Sequence, residues 1–375
     1  MIGLCVYVKI PNKIKYIGTK QEMKKQLNPW LDICRATAIL LVLLSHGRIF
    51  ITPIFPNAQI LKFGGFLGVE FFFVLSGFLI GGIILDKIKT SKSPASWVPE
   101  FWGRRWMRTY PSYLLFIIVN ILIISSVRQE PFPNLVKFLT FTQSLLSPHP
   151  SFFGEAWSLA VEEVFYFITP IVLSVFIAIT NNKRISVLLT ISLLIIIPII
   201  LRIHASLYTG MTFNEIRSTA LYRIDSIMIG VIAVIAYNKI GSNLIVKTGI
   251  LIIPLCIYIA SKPDSFMDES IILKVLLFPI ANVGFACLIC SGYKIFVPAA
   301  INYPFSKIAR WSYAAYLTNL PTLQSIRYFF QPPTTPLECL IQWCAFISIT
   351  LLSAWVVYSF FEKTVLSMRD KLISR

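Results

Sequence analysis

Residues 66–85 read Phe-Leu-Gly-Val-Glu-Phe-Phe-Phe-Val-Leu-Ser-Gly-Phe-Leu-Ile-Gly-Gly-Ile-Ile-Leu, with Glu70 as the one charged side chain. A helix needs about 20 mostly apolar residues to cross the hydrocarbon of a bilayer, and this run supplies them. Backbone groups inside lipid must find partners within the segment, so a helix is the open-ended solution. Similar runs recur on both sides, at 31–50, 109–127, 156–180, 185–202, 219–237, 244–261, 270–291, 311–330 and 337–359. No segment alternates with period two strongly enough for a barrel. The sequence therefore predicts an all-α, polytopic membrane helix bundle of about ten transmembrane helices. It divides into a basic arm (1–29), a membrane domain (30–362) and a basic tail (363–375).

Composition supports one membrane domain over several soluble ones. Charged residues make up 14% of the 375 and hydrophobic residues 56%, whereas soluble domains carry about 25% charged residues. The net charge of +17 would suit nucleic acid. The basic residues cluster instead at the ends of apolar spans, where they set topology and meet anionic lipid, so nucleic-acid binding is not expected. With the N-terminus inside, 23 of the 34 Lys and Arg residues fall on the cytoplasmic side. An even number of spans then puts both termini in the cytoplasm. Lys9–Gln26 holds six lysines and no small-residue cleavage site, so the arm is not read as a cleaved signal. Cys287 and Cys290 lie in an apolar run with no second pair at zinc-site spacing, which points to packing and to no metal.

Ionisable residues within spans are the informative departures, because each costs several kcal/mol unless it faces a cavity or a partner. The first span carries Asp32, Arg35 and His46. Arg35 and His46 lie about 16 Å apart along a helix and about 20° apart around it, hence on one face. Glu70, Ser76 and Gly77 mark the second span. Arg104, Arg105 and Arg108 follow on the inner side, and guanidinium forks suit phosphate oxygens. The fourth span opens with Glu155-Ala156-Trp157-Ser158, then Glu162 and Glu163. The sixth carries Arg223 and Asp225, and the ninth Tyr316 and Asn319. Each has a plain packing explanation when taken singly. Together they suggest a polar chamber in the middle and outer half, above an arginine cluster.

In this order the motifs resemble those of the acyltransferase 3 family of membrane acyltransferases, which includes bacterial O-acetyltransferases acting on surface polysaccharides. The resemblance rests on Leu31-Asp32…Arg35 with His46 eleven residues on, and on the Gly-Val-Glu-Phe-Phe…Ser-Gly-Phe block. Further support comes from Arg-Arg-x-x-Arg-x-Tyr-Pro, Trp-Ser-Leu-x-x-Glu-Glu-x-Phe-Tyr, Tyr-Arg-x-Asp and Ser-Tyr-x-x-Tyr-Leu. It implies an acyl-CoA donor, most simply acetyl-CoA, bound by Arg35, Arg104, Arg105 and Arg108. It implies a His46-centred site in the bacterial cytoplasmic membrane, with Glu162 or Glu163 as an important carboxylate. Many members have histidine where this chain has Asn319, and Asp where it has Glu70.

The expected chemistry is acyl transfer to a carbohydrate or glycolipid hydroxyl. His46 acts as general base and Glu162 orients the imidazole. Glu70, Ser76, Trp157, Ser158, Arg223, Asp225, Tyr316 and Asn319 are candidates for binding substrate or the oxyanion. The rival reading is a multi-span transporter or export subunit, in which the same polar groups would line a substrate route.

Overall fold

The computed structural model describes residues 28–123, 125, 132–237 and 242–373. The helices in order are α1 (Pro29–Gly47), α2 (Phe63–Thr90), α3 (Val98–Ile123), α4 (Leu135–Leu139), α5 (Ala156–Thr180), α6 (Lys183–His204) and α7 (Phe213–Ser218). They continue as α8 (Ile224–Ala236), α9 (Ser242–Ala260), α10 (Asp264–Asp268), α11 (Ile271–Gly292), α12 (Ala299–Phe329), α13 (Pro336–Val356) and α14 (Lys363–Ile373). No strand occurs among the described residues, and the protein is an all-α polytopic membrane bundle. Of the basic arm expected over 1–29, all but Asn28 and Pro29 lies outside the described residues. The tail beyond Glu362 forms α14, tied to α3 by Asp370 at 3.8 Å from Arg104.

Each run expected to span is mainly helical over its described residues. Among the described residues, seven helices are long and apolar enough to cross a bilayer: α1, α2, α3, α5, α6, α11 and α13. The other three differ for visible reasons. The run 219–237 begins with a 3-10 turn at Ala220–Tyr222, which leaves α8 with 13 residues. The apolar part of α9 is only Leu244–Ala260. α12 has 31 residues but carries Lys307, Arg310 and Asn319, with Pro304 and Pro321 inside it.

Close packing gathers around α2. A Cβ on Gly77 would stand 1.8 Å from the Ile227 carbonyl oxygen, and one on Gly230 would stand 2.2 Å from that of Val74. α2 and α8 therefore meet backbone to backbone, as small residues allow in membrane bundles. At the other side of α2, the start of the helix rests on the end of α1, with Gly64 against the Leu41 carbonyl and Gly65 against Ser45 Oγ. The start of α1 is tied to the end of α11: Asn28 Nδ2 donates to the Tyr293 carbonyl at 2.7 Å, and Trp30 Nε1 to the Leu288 carbonyl at 3.2 Å.

A buried polar network locks this half of the bundle. Arg223 Nη2 donates to both Glu70 oxygens at 2.6 Å and to Ser226 Oγ at 2.9 Å. Asn282 Nδ2 on α11 donates to the same hydroxyl at 2.9 Å. Arg202 on α6 grips Asp225 through a two-point fork of 2.9 and 2.7 Å. Both ion pairs are 0% exposed. Arg223, the residue just before α8, and Asp225, in its first turn, do not pair with each other: each has a partner on another helix.

Two tests follow from this packing. Gly77→Leu forces a side chain into the Ile227 carbonyl, and overpacking of this kind costs about 1–3 kcal/mol or more. A lowered melting temperature of the purified protein is the expected result. For the α6–α8 pair, Arg202→Met strands a buried carboxylate, which costs about 3–5 kcal/mol. Adding Asp225→Leu should recover much of that loss, and a double variant no more stable than the single one would refute the pairing.

Candidate active site

α2, α3, α5 and α12 enclose a cavity of about 290 Å³. Arg35, Arg105, Arg108, Ser76, Ser158, Glu162, Tyr166, Tyr313 and Tyr316 line it among apolar residues of α2. Arg35 reaches it from α1, where Asp32 is its ion-pair partner at 3.8 Å. Arg105 and Arg108 fall on one face of α3 because residues three apart are neighbours on a helix.

Tyr166, which the sequence reading quoted as the end of the Trp-Ser-Leu-x-x-Glu-Glu-x-Phe-Tyr motif but gave no role, is the hub of the polar wall. Arg105 Nη2 donates to its hydroxyl at 2.8 Å, and the guanidinium carbon lies 4.5 Å from the ring centroid. That hydroxyl donates to Glu162 Oε2 at 3.1 Å and is hydrogen-bonded to Ser76 Oγ. The i,i+4 spacing of Glu162 and Tyr166 was the available signal. Glu163 turns away from the cavity and accepts from Thr109 Oγ1 at 2.7 Å. Arg108 makes no hydrogen bond to the protein among the described residues. Its electrostatic neighbours are Arg105, Arg35, Tyr166 and Glu362. Arg105 Nε is buried without a partner. Unspent guanidinium donors facing a chamber are a natural anion site.

His46 lies toward the other end of the bundle and does not line the cavity. The imidazole is held by Asn319, not by Glu162. His46 Nδ1 and Asn319 Oδ1 are 2.5 Å apart. The amide nitrogen of Asn319 donates to the Tyr316 carbonyl at 2.5 Å and the Ala315 carbonyl at 3.4 Å. Its oxygen is therefore the atom turned to the ring, so Nδ1 carries the proton and Nε2 keeps its lone pair. Pro321, which has no N–H, loosens the α12 ladder just beyond. There Glu155 Oε1 accepts from the Leu320 N–H at 3.0 Å. Burial pushes the Glu155 carboxyl up to about 8.

Tyr316 connects the two regions. It lines the cavity, its carbonyl anchors Asn319, and its hydroxyl is 2.7 Å from Ser158 Oγ. Trp157 stands edge-on to Phe73 and beneath Arg217. Four expected site residues lie elsewhere. Glu70, Arg223 and Asp225 are enclosed in the α2–α6–α8 network, with no exposed surface. Arg104 pairs with Glu100 at 3.0 Å and points toward α14. Among the described residues, no group of three or more His, Cys, Asp or Glu could hold a metal ion.

The chain is similar in sequence to bacterial O-acetyltransferases. The O-acetyltransferase OatA of Staphylococcus aureus (strain NCTC 8325 / PS 47) is 25% identical over 364 residues, covering 90% of this chain and 57% of the relative. The peptidoglycan O-acetyltransferase OatA of Listeria monocytogenes is 31% identical over 180 residues, covering 44% of this chain and 27% of the relative. The chain thus spans less than two thirds of the length of these relatives. No solved structure matches it. The family model described as an acyltransferase domain matches residues 28–360, nearly the whole bundle built above, and the chain belongs to the acyltransferase 3 family.

Proposed function

We propose that this protein is a membrane-embedded O-acyltransferase that moves an acetyl group from cytoplasmic acetyl-CoA to a hydroxyl of an envelope carbohydrate or its lipid-linked precursor. Family membership and the names of its relatives support the reaction class. The observation that carries the donor assignment is the convergence of Arg35, Arg105 and Arg108 on one cavity, two of them with unspent donors. Coenzyme A is rich in phosphate, and guanidinium groups bind phosphate through paired hydrogen bonds. The residues present fit such a donor: the arginines would hold its phosphates, and the apolar wall of α2 would receive the uncharged arm. When bound, the donor supplies an activated acyl carbonyl.

The protein's own groups divide the remaining work. Arg105 is braced by Tyr166, which Glu162 and Ser76 hold in turn. Glu162 thus acts on the donor side and not as the partner of the base. His46 takes the hydroxyl proton on Nε2, with Nδ1–H fixed against Asn319. An amide here holds the tautomer as a carboxylate would, without adding charge. The Tyr316 and Ser158 hydroxyls, hydrogen-bonded to each other between the two regions, would turn from the Glu155 carbonyl to donate to a developing oxyanion.

The test is mass spectrometry of envelope glycans from cells making the wild-type protein or His46→Ala at matched levels. Loss of a general base lowers the rate by about 10²–10⁴-fold, so O-acetylation should fall to background. An unchanged pattern would remove His46 from the chemistry. In purified protein, Arg108→Gln should raise the KM for acetyl-CoA with little change in the KM for acceptor, and the reverse split would overturn the donor site. Asn319→Ala should lower kcat while leaving acetyl-CoA binding intact, and Asn319→Asp should restore part of the rate.

A further inference from the structure

A half-buried arginine of the bundle, Arg217, has no part in the reaction above. Arg217 sits on α7, at the end of the bundle where α1 finishes and α2 begins. Its guanidinium carbon lies 5.0 Å from the Trp157 ring centroid and 5.7 Å from that of Phe66. Nη2 donates to the Gly65 carbonyl at 2.6 Å. Nε is buried without a partner, and no hydrogen bond from Nη1 to the protein is found among the described residues. Aromatic flanks hold an arginine rigid and strip its water, but they do not neutralise it.

The surrounding carboxylates are already engaged. Glu70 belongs to Arg223 at 2.6 Å. Asp264 is paired with Lys62 at 2.7 Å. Asp268 accepts from the Phe213 N–H at 2.6 Å, and Glu215 caps its own helix through Thr212. Among the described residues no carboxylate lies within ion-pair distance of Arg217. This contrasts with Arg202 and Arg223, the fully buried arginines, which each hold a carboxylate. The charge of Arg217 also acts on His46 and on Tyr316. Arg48 is the second cation near His46, and its donors go to the Ser45 carbonyl and to Gln59 Oε1.

We infer that Arg217 binds an anionic group, a carboxylate or a phosphate, on the acceptor, so that the acceptor is an acidic or phosphate-bearing sugar. The word acceptor rests on the acyl-transfer reading; the anion site does not. A held, uncompensated cation close to the base would fix one end of such a sugar while a hydroxyl approaches Nε2. Neutral sugars would lack that anchor.

The experiment measures binding without acetyl-CoA, so it reports on this site even if no transfer occurs. The purified full chain is titrated by ligand-observed NMR with methyl glucuronide, glucose 1-phosphate and the uncharged methyl glucoside. At least one charged ligand should bind about tenfold or more tighter than the neutral one, and the better of the two identifies the anion. Arg217→Gln should remove that advantage while leaving the neutral sugar unchanged, and Arg217→Lys should keep part of it. Gel filtration and melting temperature check that the variants fold. In wild-type protein, the charged ligand should slow phenylglyoxal modification of Arg217, read by peptide mass spectrometry, and the neutral one should not. Equal affinity for charged and neutral sugars, an unaltered preference in Arg217→Gln, or unprotected Arg217 would each overturn the proposal.

Discussion

A guanidinium cannot rest in hydrocarbon without an anion beside it or a polar space to receive it, and this constraint organises the whole bundle. Arg202 and Arg223 meet it by pairing with Asp225 and Glu70 across helices. Arg35, Arg105 and Arg108 meet it by opening on a shared cavity. In that cavity Glu162 offsets only part of the positive charge. The first solution joins helices and the second leaves binding capacity unspent.

The same division accounts for what could be read in the sequence. Apolar runs announced the helices, because hydrophobic length is a local property of the chain. The arginine pair on α3 was legible for the same reason, since Arg105 and Arg108 share a face wherever the helix is placed. Partner choice was not legible. Glu162 was the residue expected to orient His46, and only the packing of α12 against α1 brings the Asn319 amide there instead. Glu70, Arg223 and Asp225 stood out as costly residues, yet nothing local revealed that Arg202 would complete the set from α6. Arg217 went unremarked and Tyr166 received no role, because an arginine between spans and a helical tyrosine are ordinary until their neighbours are known.

The site also depends on an interruption in regular structure. Pro321 removes one rung of the α12 backbone ladder, and beside it side chains reach main-chain groups. Asn319 occupies the Tyr316 carbonyl and Glu155 receives the Leu320 N–H. The imidazole is thereby referenced to main chain on α12 and, through Glu155, to the start of α5. Such a support is stiffer than a chain of long side chains would be, which is what a proton-accepting group requires if its lone pair is to stay aimed.

The glycine contact between α2 and α8 bears on how the molecule can move. Helices whose backbones touch, and which also share Arg223 with Glu70, have no slack to slide or roll against each other. Together with α11, bound through Asn282, they form a stator. Movement that widens the cavity is therefore expected from α3 and α12, which border it together with α2 but take no part in the glycine contact.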